Sequence, residues 1–488
     1  MVDILLVNPN MSFSLDSPVS GRSFQIRSLE KVINLGLLSV ASYLDAAGIS
    51  LEILDLVGEE DDLRLLRDTV ARVKPEFVGF SCISCFAYPR IKEYVEVVKI
   101  VNPDIFVLAG GQHISGIPRL VMEEVPGLDC VVKGEGEYNC FRVIDCIRKN
   151  EPLDEVPSII YRKNGEIEDN TWMNGEKVDL NCLPFLRYDL YPGFRDYAPH
   201  VEVSRWCQYG CMFCTSGAMS NGIVYKSIPR FVDELEYVKS LYGDEGNALK
   251  FFFACSTFGL KRSRIEELIA EMKARDLNIS WRTESRVDTP VIDYLEELVG
   301  VGMAVVDVGL ESGSPTMLTL MNKCRDPRQY LEKARAFIKK GGEIENLLVK
   351  INLVFYPGES PETIRETMDF LCSLSRYIDG MSAGPVMLYS GIPLEEMLPY
   401  YSEQFGTSVV RDAFWDSIYA HPVNPSHHFS FEQLNELALT MAKMFCPERE
   451  YFEIKSHGQF PRRMNLEHFR NRINGHARNE FPFNSFVA

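Results

Sequence analysis

The chain has 488 residues, 46% of them hydrophobic and 25% charged, with a formal net charge of −18. That length exceeds what one hydrophobic core serves, so two or three domains of ordinary globular composition are expected. The acidic balance argues against a polyanionic substrate such as tRNA or DNA, whose binding rests on counterion release by Lys and Arg.

The tail is locally basic, with Lys455, Arg462, Arg463, Arg470, Arg472 and Arg478. A solvated helical face explains that cluster better than a phosphate-binding patch. No apolar run reaches membrane-spanning length, and Met1-Val-Asp-Ile-Leu-Leu-Val-Asn-Pro-Asn10 reads as a strand, without the basic region of a signal peptide. The expected location is the cytoplasm, without a membrane partner. Thirteen cysteines in such a chain fit a reducing compartment, where thiols serve metals and not disulfides.

Residues 1–150 alternate short β-rich runs with amphipathic helices. Strands are expected at Asp3–Val7, Leu51–Leu56, Phe77–Cys82, Ile105–Ala109 and Cys130–Lys133. Helices are expected at Leu35–Ala47, Leu63–Val73, Pro89–Val101, Ile117–Glu124 and Glu137–Lys149. This βα alternation predicts a doubly wound parallel sheet, which binds ligands beyond the carboxyl ends of its strands. The loops at those ends are Asn8-Pro-Asn10, Ser81-Cys-Ile-Ser84, Gly110-Gly-Gln-His113 and Gly134-Glu-Gly-Glu137.

Residues 151–199 break into prolines, with a hairpin expected at Ser158–Arg162 and Gly165-Glu166, and read as a connecting segment. From residue 200 the alternation resumes, with strands expected at His200–Ser204, Lys250–Phe253, Ile279–Arg282, Ala304–Gly309, Leu348–Phe355 and Ser382–Leu388. Intervening helices include Pro229–Tyr242, Arg264–Arg275, Pro290–Val299, Arg328–Lys340 and Pro361–Leu374. Six βα units are too few for a closed eightfold barrel, so residues 200–399 predict a partial (β/α)6 barrel with its site at the carboxyl ends of the strands. Residues 400–488 are aromatic, proline-rich and mainly helical, with an amphipathic helix at Phe431–Phe445, and could cap the open mouth of that barrel.

Cys207, Cys211 and Cys214 stand in a loop directly after the first of these six strands. Three thiolates do not complete a tetrahedral zinc site, and no fourth Cys or His follows closely. A cubane iron–sulfur cluster held by three cysteines keeps one iron open to an exogenous ligand. The bland alternative, three buried core cysteines, fits poorly with the interleaved Gln208, Gly210 and Thr215.

The spacing Cys-x3-Cys-x2-Cys, with Phe213 before the last cysteine, resembles the radical S-adenosylmethionine (SAM) superfamily. The resemblance implies a [4Fe-4S] cluster on Cys207, Cys211 and Cys214, with SAM chelated to the open iron. Gly309-Leu-Glu-Ser-Gly313 and Tyr356-Pro-Gly-Glu359 resemble the family's Gly-x-Glu-Ser and Pro-Gly-Glu signatures. On that basis Phe213, Arg286, Glu311, Ser312 and Lys323 are expected SAM contacts; rim ion pairs are the plainer explanation of each charge taken alone. Relatives carry an Asp pair after the second strand, where this chain reads Phe253-Ala-Cys255-Ser-Thr-Phe258. Cys255 is read as a core residue or as a thiol facing substrate.

The N-terminal segment resembles the cobalamin-binding domain that precedes the radical module in many members. Cobalamin contacts are then expected from Asn8, Ser81, Ser84, Gly110, Gly111, His113, Gly134, Glu135 and Gly136. The Asp-x-His-x-x-Gly motif that supplies a lower axial histidine elsewhere is absent, as is usual in the radical subgroup. A degenerate domain that keeps the fold without the cofactor is the competing reading.

The resemblance implies a cobalamin-dependent C-methyltransferase acting on a small metabolite. A 5′-deoxyadenosyl radical would abstract a substrate hydrogen, methylcobalamin would deliver the methyl group, and a flavodoxin or ferredoxin would supply electrons. The nearest rival is a radical dehydratase or epimerase that does not use cobalamin, such as one acting on an aminoglycoside-like diol. An iron–sulfur electron carrier is more remote.

Overall fold

The computed structural model describes residues 2–11, 30–173, 177–218, 222–243, 248–473 and 481–484. The chain divides into two compact units: Met1–Ser17, Ile33–Phe194 and Ser417–Tyr419 form one, and Pro18–Val32, Arg195–Asp416 and Ala420–Ala488 the other.

The first unit runs β1 (Ile4–Asn8), α1 (Leu35–Ala46), β2 (Leu51–Asp55), α2 (Asp62–Val73), β3 (Phe77–Ser81), α3 (Tyr88–Val101), β4 (Phe106–Gly110), α4 (Pro118–Glu124), β5 (Cys130–Val132) and α5 (Glu137–Lys149). The hairpin β6 (Ile159–Lys163) and β7 (Glu166–Asp169) follows. All five residues of β1 are buried, which suits a central strand covered on both faces. Local signals set the helix ends: Asn34 caps α1 by accepting from the Leu37 amide, Pro89 enters the first turn of α3, and left-handed Asn150 ends α5. The sheet order is β2-β1-β3-β4-β5-β6-β7, parallel through β5. This order reverses direction between β1 and β3, the position at which such sheets bind ligands. The proline-rich segment after α5 is more than a connector, because β6 joins β5 antiparallel and β7 joins β6, extending the sheet by two strands.

The second unit contains β8 (His200–Glu202), α6 (Ile228–Tyr242), β9 (Leu249–Ala254), α7 (Arg262–Arg275), β10 (Ile279–Arg286), β11 (Met303–Glu311), α8 (Pro327–Gly342), β12 (Leu348–Phe355), α9 (Pro361–Cys372) and β13 (Gly380–Pro385). The six strands lie in sequential order, all parallel, as an open partial barrel. Strand alternation sorts β10 cleanly. Trp281 stacks on Phe253 with centroids 4.4 Å apart on the helix side, and Ser280, Arg282, Glu284 and Arg286 share the opposite, lumenal face.

Past β13 come β14 (Met387–Tyr389), β15 (Ser408–Val409), β16 (Ala420–Asn424), α10 (Phe431–Phe445), α11 (Glu448–Ser456) and α12 (Leu466–Ile473). The C-terminal region is thus not purely helical: β14, β16 and β15 pair as a small antiparallel sheet. α10, with a Ser430–Gln433 capping box, packs along the edge strand β13. α11 and the turn after it sit at the amino ends of the strands, whereas Pro425 and Ser426, earlier in the segment expected to cap the mouth, bond the Gly358 amide and the Glu359 carbonyl just past the carboxyl end of β12. His200 Nε2 lies 2.6 Å from the Gly458 carbonyl, Ser280 Oγ 2.8 Å from His457 Nε2, and Lys250 donates to Glu453 at 2.6 Å. The reason lies in the strand starts, which carry polar side chains that need buried partners.

Lys455 also departs from the reading of a solvated basic face: it is largely buried and pairs Glu30 at 2.8 Å. Arg478 lies outside the described residues. No helix among the described residues is long and apolar enough to cross a membrane.

Candidate functional site

The cysteine loop sits at the carboxyl end of β8 and is held by backbone bonds. The Met212 amide donates to the Met321 carbonyl at 3.0 Å, the Leu394 amide donates to the Met212 carbonyl at 3.0 Å, and Asn322 Nδ2 donates to the Gly210 carbonyl at 2.8 Å. Met321-Asn322-Lys323 is therefore a clamp on the loop, a role the sequence left undefined. Cys211 is buried and close to Cys214, whose amide closes a turn onto the Cys211 carbonyl at 3.1 Å. Cys207 faces Thr257 at 3.7 Å. All three are free thiols. No three His, Cys, Asp or Glu among the described residues converge at single-ion spacing. A four-iron cluster spreads its thiolates more widely than one ion does, and three free thiols on one pinned loop fit that group. Burial pushes the Cys211 thiol up, while Lys323 and Arg286 pull it back.

The charges at the ends of β10 and β11 are paired with one another. Arg286 donates to both oxygens of Asp288 at 2.9 and 3.0 Å and to the Lys323 carbonyl at 2.8 Å, and its guanidinium lies 3.7 Å from the Tyr209 ring centroid. Its Nη1 also reaches Cys211 Sγ at 3.9 Å. Glu311, at φ +68°, accepts from Lys323 Nζ at 2.8 Å. A Cβ on Gly309 would meet the Glu311 carboxylate at 2.7 Å and Lys323 Nζ at 3.1 Å, so the Gly of the Gly-x-Glu-Ser run makes room for this ion pair. Ser312 is buried and hydrogen-bonded to Thr367 at 3.0 Å. Phe213 packs edge-on to Tyr356, centroids 6.4 Å apart. The structure therefore brings Cys211, Arg286, Lys323 and Glu311 into one cluster, with Ser312 turned to α9 and Phe213 to the aromatic packing beneath the loop.

Below them lies an array the sequence reading did not isolate. Asp307 accepts from Arg282 Nε at 3.0 Å and from Lys350 Nζ at 2.8 Å, and Lys350 also donates to Asn352 at 2.8 Å. Arg282 spends a further donor on the Ile454 carbonyl at 2.9 Å. The two cations hold the Asp307 carboxyl down to about 2 against its own burial. The available signal was the period-2 run of polar residues in β10. Cys255, beyond the end of β9, lies 3.6 Å from Thr283 Oγ1, and burial pushes its thiol up to about 12.

In the first unit, the expected cobalamin residues gather at the carboxyl ends of β1, β3, β4 and β5. Asn8 donates to Asp55 at 2.9 Å and to the Tyr191 hydroxyl at 3.2 Å, and accepts from Asn34 at 2.9 Å. Ser81 accepts from Asn34 at 3.2 Å, and Ser84 caps the turn Cys85–Ala87. Ser81 pairs in register with Gly110, and Gly111, at φ +102°, brings its Cα so close to the Cys82 carbonyl that a Cβ would stand 2.5 Å from it. The Gly134 amide donates to Ser115 at 2.9 Å, Glu135 accepts from the Val178 amide at 3.2 Å, and Gly136 precedes the first turn of α5. Among the described residues His113 Nε2 is buried without a hydrogen-bond partner, and burial pulls that imidazole down to about 4, hence neutral. An orphaned neutral nitrogen beside a glycine-tight strand end fits a ligand that offers a polar group there, as the amide-fringed corrin does.

Two family models match the chain: the B12 binding domain over residues 26–143 and the radical SAM superfamily over residues 201–371. The uncharacterized methyltransferase PH0819 of Pyrococcus horikoshii is 26% identical over 411 residues, 83% of this chain and 85% of that protein. The anaerobic magnesium-protoporphyrin IX monomethyl ester cyclase of Rubrivivax gelatinosus is 25% identical over 67% of this chain and 60% of its own length. Among solved structures, the radical SAM methyltransferase TsrM of Kitasatospora setae superposes with a TM-score of 0.67 at 18% identity, over 85% of this chain and 79% of that one. TsrM has also been solved with cobalamin and a [4Fe-4S] cluster bound. With the cysteine loop, the strand-end cluster and both matched domains in place, the chain belongs to the radical SAM superfamily, in the group that carries an N-terminal B12-binding domain.

Proposed function

We propose that this chain is a cobalamin-dependent radical SAM C-methyltransferase acting on a small metabolite. The observation that carries the reading is a pinned loop of three free cysteines in a chain that also carries a B12-binding sheet. When bound, the cluster and SAM supply a carbon-centred oxidant able to remove a substrate hydrogen, and cobalamin supplies the methyl group.

Cys207, Cys211 and Cys214 hold the cluster. Arg286 and the Lys323–Glu311 pair border it, fixing the loop and setting the local charge where SAM docks; Ser312, through Thr367, and Phe213, through Tyr356, support that edge from behind. His113, with Gly110, Gly111 and Gly134–Gly136, borders the corrinoid. A flavodoxin or ferredoxin type of donor is the proposed reductant.

One observation favours the rival radical chemistry without a corrinoid: Asn8, Ser81 and Ser84 already spend their side chains on protein partners. In that reading Cys255, held as a protonated thiol, is the candidate hydrogen-atom donor. The deciding experiment is anaerobic cluster reconstitution with hydroxocobalamin, followed by desalting, iron analysis and corrinoid mass spectrometry. Stoichiometric corrinoid with about four irons per chain supports methyl transfer. Iron without corrinoid overturns it and moves a dehydratase or epimerase to first place.

A further inference from the structure

Glu284 combines three properties that no other lumenal side chain named above shares. It lies mid-strand on the inward face of β10, between Arg282 and Arg286, yet its side chain is exposed to solvent. Among the described residues its carboxylate has no hydrogen-bond or ion-pair partner. It also sits one pleat repeat, about 7 Å, deeper than Arg286, in register with Asp307.

The surroundings say what such a group is for. The cations near it among the described residues are already committed: Arg282 to Asp307 and the Ile454 carbonyl, Arg286 to Asp288 and the Lys323 carbonyl, Lys323 to Glu311, and Lys350 to Asp307 and Asn352. Glu202, on the same level of β8, is committed to Arg205 at 2.8 Å. The next position on β9 is Ala254, whose small side chain leaves space beside Glu284, and Ser382, on the lumenal face of β13, is likewise exposed. The wall thus offers one uncommitted ionisable acceptor and no uncommitted cation among these residues, so it selects a ligand that donates and disfavours one that brings an anion. The barrel wall that encloses this solvent-accessible side chain desolvates the Glu284 carboxyl and, with Asp307, raises its pKa, while Lys350 and Arg282 lower it, so an arriving donor meets a carboxyl that gains from a new partner.

We propose that Glu284 accepts a hydrogen bond from an ammonium or hydroxyl group of a small molecule bound in the barrel lumen. That donor comes either from SAM or from the substrate, and in the second case the substrate is an amine or alcohol and not a simple carboxylic acid. The proposal rests on the radical SAM assignment of this barrel and is independent of methyl transfer.

The test uses the full chain, cluster-reconstituted and supplied with cobalamin, as wild type and Glu284→Gln, with SAM as probe. Equilibrium dialysis gives the SAM dissociation constant. A water-soluble carbodiimide with glycinamide, read by peptide mass spectrometry, gives the reactivity of Glu284 against exposed Glu296. Weakening of SAM binding by more than threefold, with SAM protecting Glu284 in the wild type, assigns the donor to SAM. Binding within threefold, with Glu284 still modified when SAM is bound, assigns it to the substrate. Failure of Glu284 to react without SAM while Glu296 reacts overturns the proposal. A change in only one of affinity and protection overturns it as well, since Glu284 is then merely covered or acts at a distance. Glu284→Asp replaces the glutamine variant if the latter fails to retain iron. Loss of corrinoid would sink the methyltransferase reading and leave all these outcomes readable.

Discussion

Two buried carboxyls make opposite demands on the second unit. Asp307 is shared by Arg282 and Lys350, so Asp307→Asn leaves two buried cations with one neutral acceptor; a loss of about 3–5 kcal/mol is expected, read as a lower unfolding midpoint in denaturant. Glu359 has no cation among the described residues: burial raises its carboxyl from 4.5 to about 7, with the Thr363 hydroxyl, 2.6 Å away, pulling the other way. A carboxyl whose folded pKa is raised contributes stability that is complete below the unfolded pKa and is lost as pH climbs through the folded one. The wild type should therefore lose on the order of 3 kcal/mol between about pH 4.5 and 8, and Glu359→Gln should not. Thermal melts across that range check it, and parallel curves for the two proteins would refute the assignment.

At the scale of elements, the cysteine loop depends on a short segment far along the chain. Asn322→Ala removes the donor to the Gly210 carbonyl, a bond worth about 1 kcal/mol, and should speed loss of iron to a chelator severalfold with little change in folding. Gly309→Ala should be harsher, because its methyl group would displace the Glu311–Lys323 pair; less iron per chain after reconstitution is the expected result. The contrast shows what the sequence could and could not reveal. The βα alternation and the cysteine spacing were readable because periodicity and ligand count are local properties. β10 was expected to stop at Arg282 and runs to Arg286, because its polar lumenal residues look like a loop until a barrel interior is there to receive them. The particular partners, Asp288 for Arg286 and Glu311 for Lys323, were equally hidden, since a charge at a strand end reads as a ligand contact or as a rim ion pair and its spacing does not name the partner.

For the molecule as a whole, the last helices belong to the barrel's construction. Arg282, His200, Ser280 and Lys250 all find partners between Glu453 and Gln459. A chain ended after Cys446 should leave those groups unpaired and lose the barrel's resistance to proteolysis, and a truncated protein that digests like the full chain would contradict this. The same arrangement has a meaning for synthesis. Ribosomes deliver the barrel strands first and their floor last, so the nascent barrel waits with its buried arginine and histidine uncovered until α11 emerges. Slow translation of the stretch between β13 and α11 would prolong the interval in which the chain is open to aggregation and chaperone capture.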